Sequence, residues 1–286
     1  MELTFEFWYL LPISIIIATI AMSSGVGGAV FFSPLFILAL KLDPKVAIGT
    51  ALATEFFGFT SGVIAYSRAK LIDYKLAGNL LIFSIPLAIL GTIYSEAIPP
   101  LILKAIFAVG LIFIGFQLYN TWRKDERRKK EKERQHEFYK NYESELTDSK
   151  GNVYKYTVCN KNMGRSFAAI GGAFVGMISV GLAELQEYHL VARCKVPPPV
   201  AVGTSIFVVV ITVLVASAGH FYSFLQEGPE TYNQVMNLLV FTAPGVIIGG
   251  QLGAKIQSSI PEDKMKVGIA LLFAIIGVFM LYTLIS

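Results

Sequence analysis

The chain has 286 residues, of which 54% are apolar and 15% charged, and its formal net charge is +4. The basic residues are badly spread: 13 of the 24 Lys and Arg lie between 121 and 165. Apolar runs recur at 8–40, 46–66, 76–95, 101–119, 166–183, 200–222, 234–254 and 267–285. Several reach the roughly 20 residues needed to cross a hydrocarbon core of about 30 Å. This pattern excludes an ordinary soluble domain and predicts a polytopic all-α integral membrane protein with no nucleic-acid partner.

The first ten residues, MELTFEFWYL, carry two acids and no Lys or Arg. They lack the basic flank of a signal peptide and are read as part of the mature chain. The apolar run that follows is interrupted by SSGVGGAVFFSP, with Gly25, Gly27 and Gly28 where a spanning helix ought to be continuous. Each glycine costs a helix interior about 1 kcal/mol relative to alanine. Backbone groups freed at that depth are tolerated where they line a cavity. The break therefore predicts a re-entrant pair of half-helices whose bend approaches a ligand.

The next segment, Pro44 to Ala51, reads PKVAIGTA, and Pro198 to Ser205 reads PPVAVGTS, 154 residues later. The same offset sets Gly27 on Gly181, so the first break has a partner at Ser179-Val180-Gly181. Further along, Pro86 with Gly91 matches Pro244 with Gly249, and the two halves end in IFAVGLIFIGFQLY and IALLFAIIGVFMLY. The chain reads as a duplication, 1–120 and 166–286, around an insert at 121–165. The insert's RKDERRKKEKERQHEFYKNYE predicts an extension of the preceding helix. TDSKGNVYKYTV predicts a small hairpin, the whole forming a solvated projection.

Taking the insert as cytoplasmic, segments 67–75, 121–165, 193–199 and 255–266 hold 21 Lys and Arg. The segments assigned outside hold two. This asymmetry follows the positive-inside rule and gives each half an odd number of crossings, with both termini outside. Two halves of opposite orientation follow, each a glycine-broken re-entrant or short helix pair plus three spanning helices. Inverted repeats with broken helices at the midplane are characteristic of secondary transporters. Cys159 and Cys194 give no disulfide framework and fall in stretches assigned to the cytoplasm, so two free thiols are expected.

The G-x-G-G-x5-P element from Gly25 to Pro34, the repeated A-[IV]-G-T-[AS], and PGVIIGGQLGAKIQSSIPEDKMK together resemble the sulfite exporter TauE/SafE family over nearly the whole chain except the insert. The resemblance implies a carrier in the prokaryotic cytoplasmic membrane for small sulfur-containing or carboxylated anions. Sulfite, thiosulfate and organosulfonates are examples. One departure is that the second break, SVGLAELQEYHL, lacks the double glycine and the proline of the first.

Candidate site residues divide by chemistry. Gly25, Gly27, Gly28, Ser179 and Gly181 bring free N–H groups at half-helix N-termini to an anion. Thr50 and Thr204 can donate hydroxyl hydrogen bonds. Glu55, Glu184 and Glu187 are ionisable groups within apolar spans, where charge is costly and by default functional; a proton-coupling role is expected of them. His189 has no companion ligand at zinc spacing, and His220 and Tyr66 are read as interfacial. Gly245, Gly249 and Gly253 form a small-residue stripe for helix packing. No nucleotide loop or metalloprotease motif is present, so neither cofactor nor metal is expected and the chain is not read as an enzyme. The expected partners are a small anionic solute and the lipid bilayer, with room for a homo-oligomer and for a soluble partner at the insert. Two rival readings remain: a cation carrier using the glutamates, and a membrane sensor signalling through the insert.

Overall fold

The computed structural model describes residues 5–24, 27–129, 142–256 and 262–285. After a short 3-10 turn at Phe5–Phe7 come α1 (Leu10–Ser24) and α2 (Ala29–Pro34), which runs into a π-helical turn at Leu35–Ala39. Three long helices follow: α3 (Pro44–Arg68), α4 (Tyr74–Ala97) and α5 (Pro100–Lys129). A hairpin of β1 (Ser144–Thr147) and β2 (Val153–Tyr156) then intervenes. The order repeats with α6 (Lys161–Ile178), α7 (Leu182–Glu187) with its π turn at Tyr188–Arg193, α8 (Pro198–Glu227), α9 (Pro229–Ile256) and α10 (Glu262–Ile285). Among the described residues, six helices are long and apolar enough to cross a membrane: α3, α4, α5, α8, α9 and α10. The chain is thus an all-α integral membrane protein.

Local chemistry sets the helix starts. Asp43 accepts from Lys45 N–H (2.9 Å) with Pro44 in the first turn, and Asp73 accepts from Leu76 N–H (2.9 Å). Asn160 accepts from Met163 N–H (3.1 Å). Each supplies an acceptor to a helix-terminal N–H that has no intrahelical partner.

Packing pairs the two halves. Helix α1 lies on α9 as α6 lies on α4; α5 lies on α10; α3 packs on α8 and α9, and α8 on α3 and α4. Helices α3 and α8 bury 72% of their apolar windows against 28% for α10, so these two form the centre. Hydroxyl pairs hold equivalent contacts: Thr54 with Thr242 (3.0 Å, α3 to α9) and Ser84 with Thr212 (2.8 Å, α4 to α8). The glycine stripe on α9 is a packing surface. A Cβ at Gly245 would meet Ser14 Cβ at 2.7 Å, and one at Gly253 would meet Thr19 O at 2.6 Å. Backbones this close gain dispersion that lipid does not replace.

Two expectations for the insert change. The hairpin turn is closed by Asp148, which accepts from Lys150 N–H, Asn152 N–H and the Asn152 side chain, each at 2.8 Å. The Asn152 amide foremost, with these backbone donors, holds the Asp148 carboxyl below its ordinary range. Yet the hairpin is no free projection. Tyr156 is buried beside Leu190, Val196 and Val200, and its hydroxyl donates to Asp73 Oδ2 at 2.7 Å. Folding the hairpin back onto the turn before α8 brings Cys159 to Cys194, Cα to Cα 5.1 Å, and the two form a disulfide rather than free thiols. The α5 extension is described as far as Lys129; the rest of that expectation, 130–141, lies outside the described residues.

Candidate functional site

Helices α1 and α6 stop within the bundle, and the chain restarts as α2 and α7. The second bend is sharp: Ser179 has φ 58° and Gly181 φ 111°. Glycine adopts that backbone without a Cβ penalty. Helix α2 has no side-chain cap from its own sequence. Its cap comes from α3 instead, where the buried Glu55 accepts from Ala29 N–H (3.1 Å), with Gly28 N–H directed to the same carboxyl. Helix α7 caps itself: Glu184, its third residue, accepts from Gly181 N–H through Oε2 (3.1 Å). Gly27 N–H, from the first break, is also directed to the Glu184 carboxyl. Each half-helix N-terminus therefore holds an acidic oxygen where its free N–H groups and partial positive charge are concentrated.

The two breaks meet. Ser33 Oγ of α2 and Ser179 Oγ of the second bend are hydrogen-bonded at 2.8 Å, both buried. Beside the two half-helices lie two cavities of about 20 Å³ each, each large enough for about one water. One is lined by Glu55, Gly28 and Phe32, the other by Glu187, Ser205 and Val202; Ala21, Met22 and Phe59 border both. Four buried polar atoms here have no hydrogen-bond partner: Glu184 Oε1, Ser205 Oγ and both amide atoms of Gln186. Unsatisfied groups of this kind cost about 1–3 kcal/mol each, so their concentration on α7 and the start of α8 marks a polar place. A much larger cavity, about 680 Å³, lies between α5 and α6 and reaches Gly181 and Glu184. Its walls are side chains such as Ile102, Val109 and Phe113, exposed on the outside of the bundle. Most of its lining is apolar, and its polar groups are confined to Gln117 and to Gly181 and Glu184 at the second break.

The model of the family described as "Sulfite exporter TauE/SafE" matches residues 10–280. The chain belongs to the TauE/SafE family. Similar chains include "Probable membrane transporter protein YunE" of Bacillus subtilis (strain 168), 25% identical over 97% of this chain and 98% of that one. Another is "Probable membrane transporter protein MJ0441" of Methanocaldococcus jannaschii, 24% identical over 98% of each. No solved structure matches the chain significantly.

In this TauE/SafE chain the expected site residues separate. Gly27, Gly28, Ser179, Gly181, Glu55 and Glu184 are brought together, with Glu187 on the second small cavity. Gly25 lies outside the described residues. Thr50 donates to its own helix, to Val46 O at 2.7 Å, and Thr204 accepts from Asp73 N–H at 3.0 Å in the turn before α4. Thr50 thus bonds within its own helix, and Thr204 holds the start of α4. His189 is buried against Gly164, and His220 is fully buried within the bundle. Among the described residues no group of three or more His, Cys, Asp or Glu gathers as metal ligands. Ser33, Gln186 and Ser205 were missed. For Gln186 the signal was present, since a primary amide within an apolar half-helix is as hard to bury unsatisfied as a carboxyl is.

Proposed function

We propose that this membrane transporter is a secondary carrier for small sulfur-containing or carboxylated oxyanions, working by alternating access and coupled to protons. The observation that carries the reading is that the N–H groups of both half-helix starts already bind acidic oxygens, those of Glu55 and Glu184. A site that accepts a carboxylate from its own chain has the donors for sulfite, thiosulfate or a sulfonate. A bound anion and an ionised Glu184 would compete for the same N–H groups and repel each other. Protonation of Glu184 removes both conflicts, because a neutral carboxyl releases the donors and carries no charge beside the anion. Proton binding and anion binding are then linked: each raises the affinity for the other.

The same reading gives the two halves opposite orientations, with the breaks at the midplane, the insert on the cytoplasmic side and both termini outside. The distribution of Lys and Arg supports it. The test is uptake of radiolabelled sulfite and thiosulfate into proteoliposomes under an imposed pH gradient. Glu184→Gln should retain anion binding while losing both its pH dependence and proton-driven accumulation. Full proton-driven accumulation by Glu184→Gln would reduce the residue to a helix cap. Loss of anion binding, together with divalent cations competing with protons on the unaltered protein, would replace the anion reading with a cation carrier.

A further inference from the structure

A second buried titratable pair lies apart from the breaks. His220 on α8 is fully buried, and each of its ring nitrogens faces an oxygen: Nδ1 meets Glu96 Oε1 of α4 at 3.3 Å, and Nε2 meets Gly176 O of α6 at 3.0 Å. A backbone carbonyl only accepts. An ionised carboxylate only accepts. A neutral imidazole has one N–H and one lone pair, so it can satisfy one of these oxygens and must turn a lone pair on the other. Only the imidazolium donates to both.

The surroundings favour that charge. Gly176 stands two residues before the end of α6 at Ile178, where the last carbonyls lack intrahelical partners and the helix terminus is partially negative. Glu96 stands at the end of α4, and Lys45 of α3 donates its ammonium to the Glu96 carbonyl oxygen and acts electrostatically on its carboxyl. The Ser223 hydroxyl of α8 also bonds the Glu96 carboxyl, and Phe224 stacks on the imidazole at 6.4 Å between centroids. Among the described residues the charged groups facing the pair are thus Glu96 from α4 and Lys45 from α3, while α6 offers only its carbonyl.

We propose that His220 with Glu96 is a proton-binding site, occupied in this conformation, whose proton fastens the α6 break to α4 and α8. Losing the proton leaves one N–H for two acceptors. The ring must then release Glu96 or Gly176, and in the second case α6 loses its hydrogen bond to α8 just ahead of the turn that carries Ser179 and Gly181. On the orientation proposed above, the pair lies towards the outer face, so it would respond to external pH. The inference itself does not rest on the anion reading, because its test contains no solute.

The chain has three histidines, which makes isotopic labelling decisive. With ¹⁵N-histidine protein in lipid bilayers, the signal lost in His220→Gln identifies His220. At about pH 7, where a free imidazole is mostly neutral, that signal should show both ring nitrogens protonated, and in Glu96→Gln it should become neutral. Backbone amide exchange across 177–182, corrected for its intrinsic pH dependence, should rise roughly tenfold as the proton is lost, the order expected from one hydrogen bond to a charged group. In Glu96→Gln it should be fast throughout. A neutral His220 in the unaltered protein at about pH 7 overturns the proposal, as does a charge state that Glu96→Gln leaves unchanged. Exchange at 177–182 that ignores the titration overturns the proposed tie.

Discussion

The two breaks meet one physical requirement by different routes. At the first, Gly27 and Gly28 precede a half-helix without its own acid, and the cap reaches across from α3 through Glu55, 26 residues on from Ala29. At the second, the acid is built into the half-helix, as Glu184 bonds the N–H of Gly181 three residues before it. The first half-helix contains Pro34 and the second has no proline, yet both run into a π-helical turn, at Leu35–Ala39 and at Tyr188–Arg193. Proline therefore does not account for the widened turn, which goes with the short arm in both halves. What the two breaks share is an acidic oxygen on a buried helix start; where that oxygen comes from in the chain differs.

The comparison assumes that the two halves face opposite ways, and the largest expected effect tests that assumption. In a Cys159→Ser/Cys194→Ser background, Lys70→Cys and Pro229→Cys place single thiols at exposed positions at either end of the long helices. A membrane-impermeant maleimide added to intact cells should label the Pro229 variant fully, and the Lys70 variant only after permeabilisation. Labelling of both from one side would remove the inversion.

The next effect separates the two acids. Glu55→Leu removes a bond between elements and orphans Ala29 N–H, which should cost about 2–3 kcal/mol. Glu184→Leu orphans N–H groups as well, but it also removes Oε1, a buried oxygen without a partner, so the net loss should be under about 1 kcal/mol. Thermal unfolding of the purified protein in one detergent reads the difference as a larger fall in Tm for Glu55→Leu. Equal falls would mean that the two caps are equivalent and that the unpartnered oxygen of Glu184 carries no penalty.

Much of this was legible beforehand, for identifiable reasons. Apolar length and family likeness pointed to the membrane fold, and glycine within an apolar run pointed to the breaks. Glu55 and Glu184 stood out because a carboxyl there is costly. The contact between the breaks was not legible, because Ser33 and Ser179 are 146 residues apart and serine is unremarkable in a span. The engagements of Thr50 and Thr204 were not legible from their repetition either, since Thr50 bonds its own helix at Val46 while Thr204 accepts from Asp73 N–H, 131 residues away. The disulfide and the buried His220 each depended on tertiary approach, of the hairpin to the turn before α8 and of α4 and α6 to α8. Local sequence carries no signal of either.

The smallest effect is a coupling, and it asks whether the two glycines serve the caps in the same way. A Cβ at Gly27 would stand 2.6 Å from Glu55 Oε1, the mobile end of a side chain, so Gly27→Ala should push that oxygen off Ala29 N–H. In a Glu55→Asp background the shorter side chain has already withdrawn the oxygen, and Gly27→Ala should cost little more. The double-mutant cycle should therefore show a coupling of about 1 kcal/mol between positions 27 and 55. Gly181 differs. At φ 111° any Cβ is strained whatever lies nearby, and its nearest neighbour is Phe174 Cβ at 3.3 Å, not the glutamate. Gly181→Ala should cost about 1–3 kcal/mol from the backbone alone and should add to Glu184→Leu without coupling. Coupling at 181 with 184 as large as that at 27 with 55 would show that both glycines make room for a carboxylate, and the distinction drawn between the two breaks would disappear.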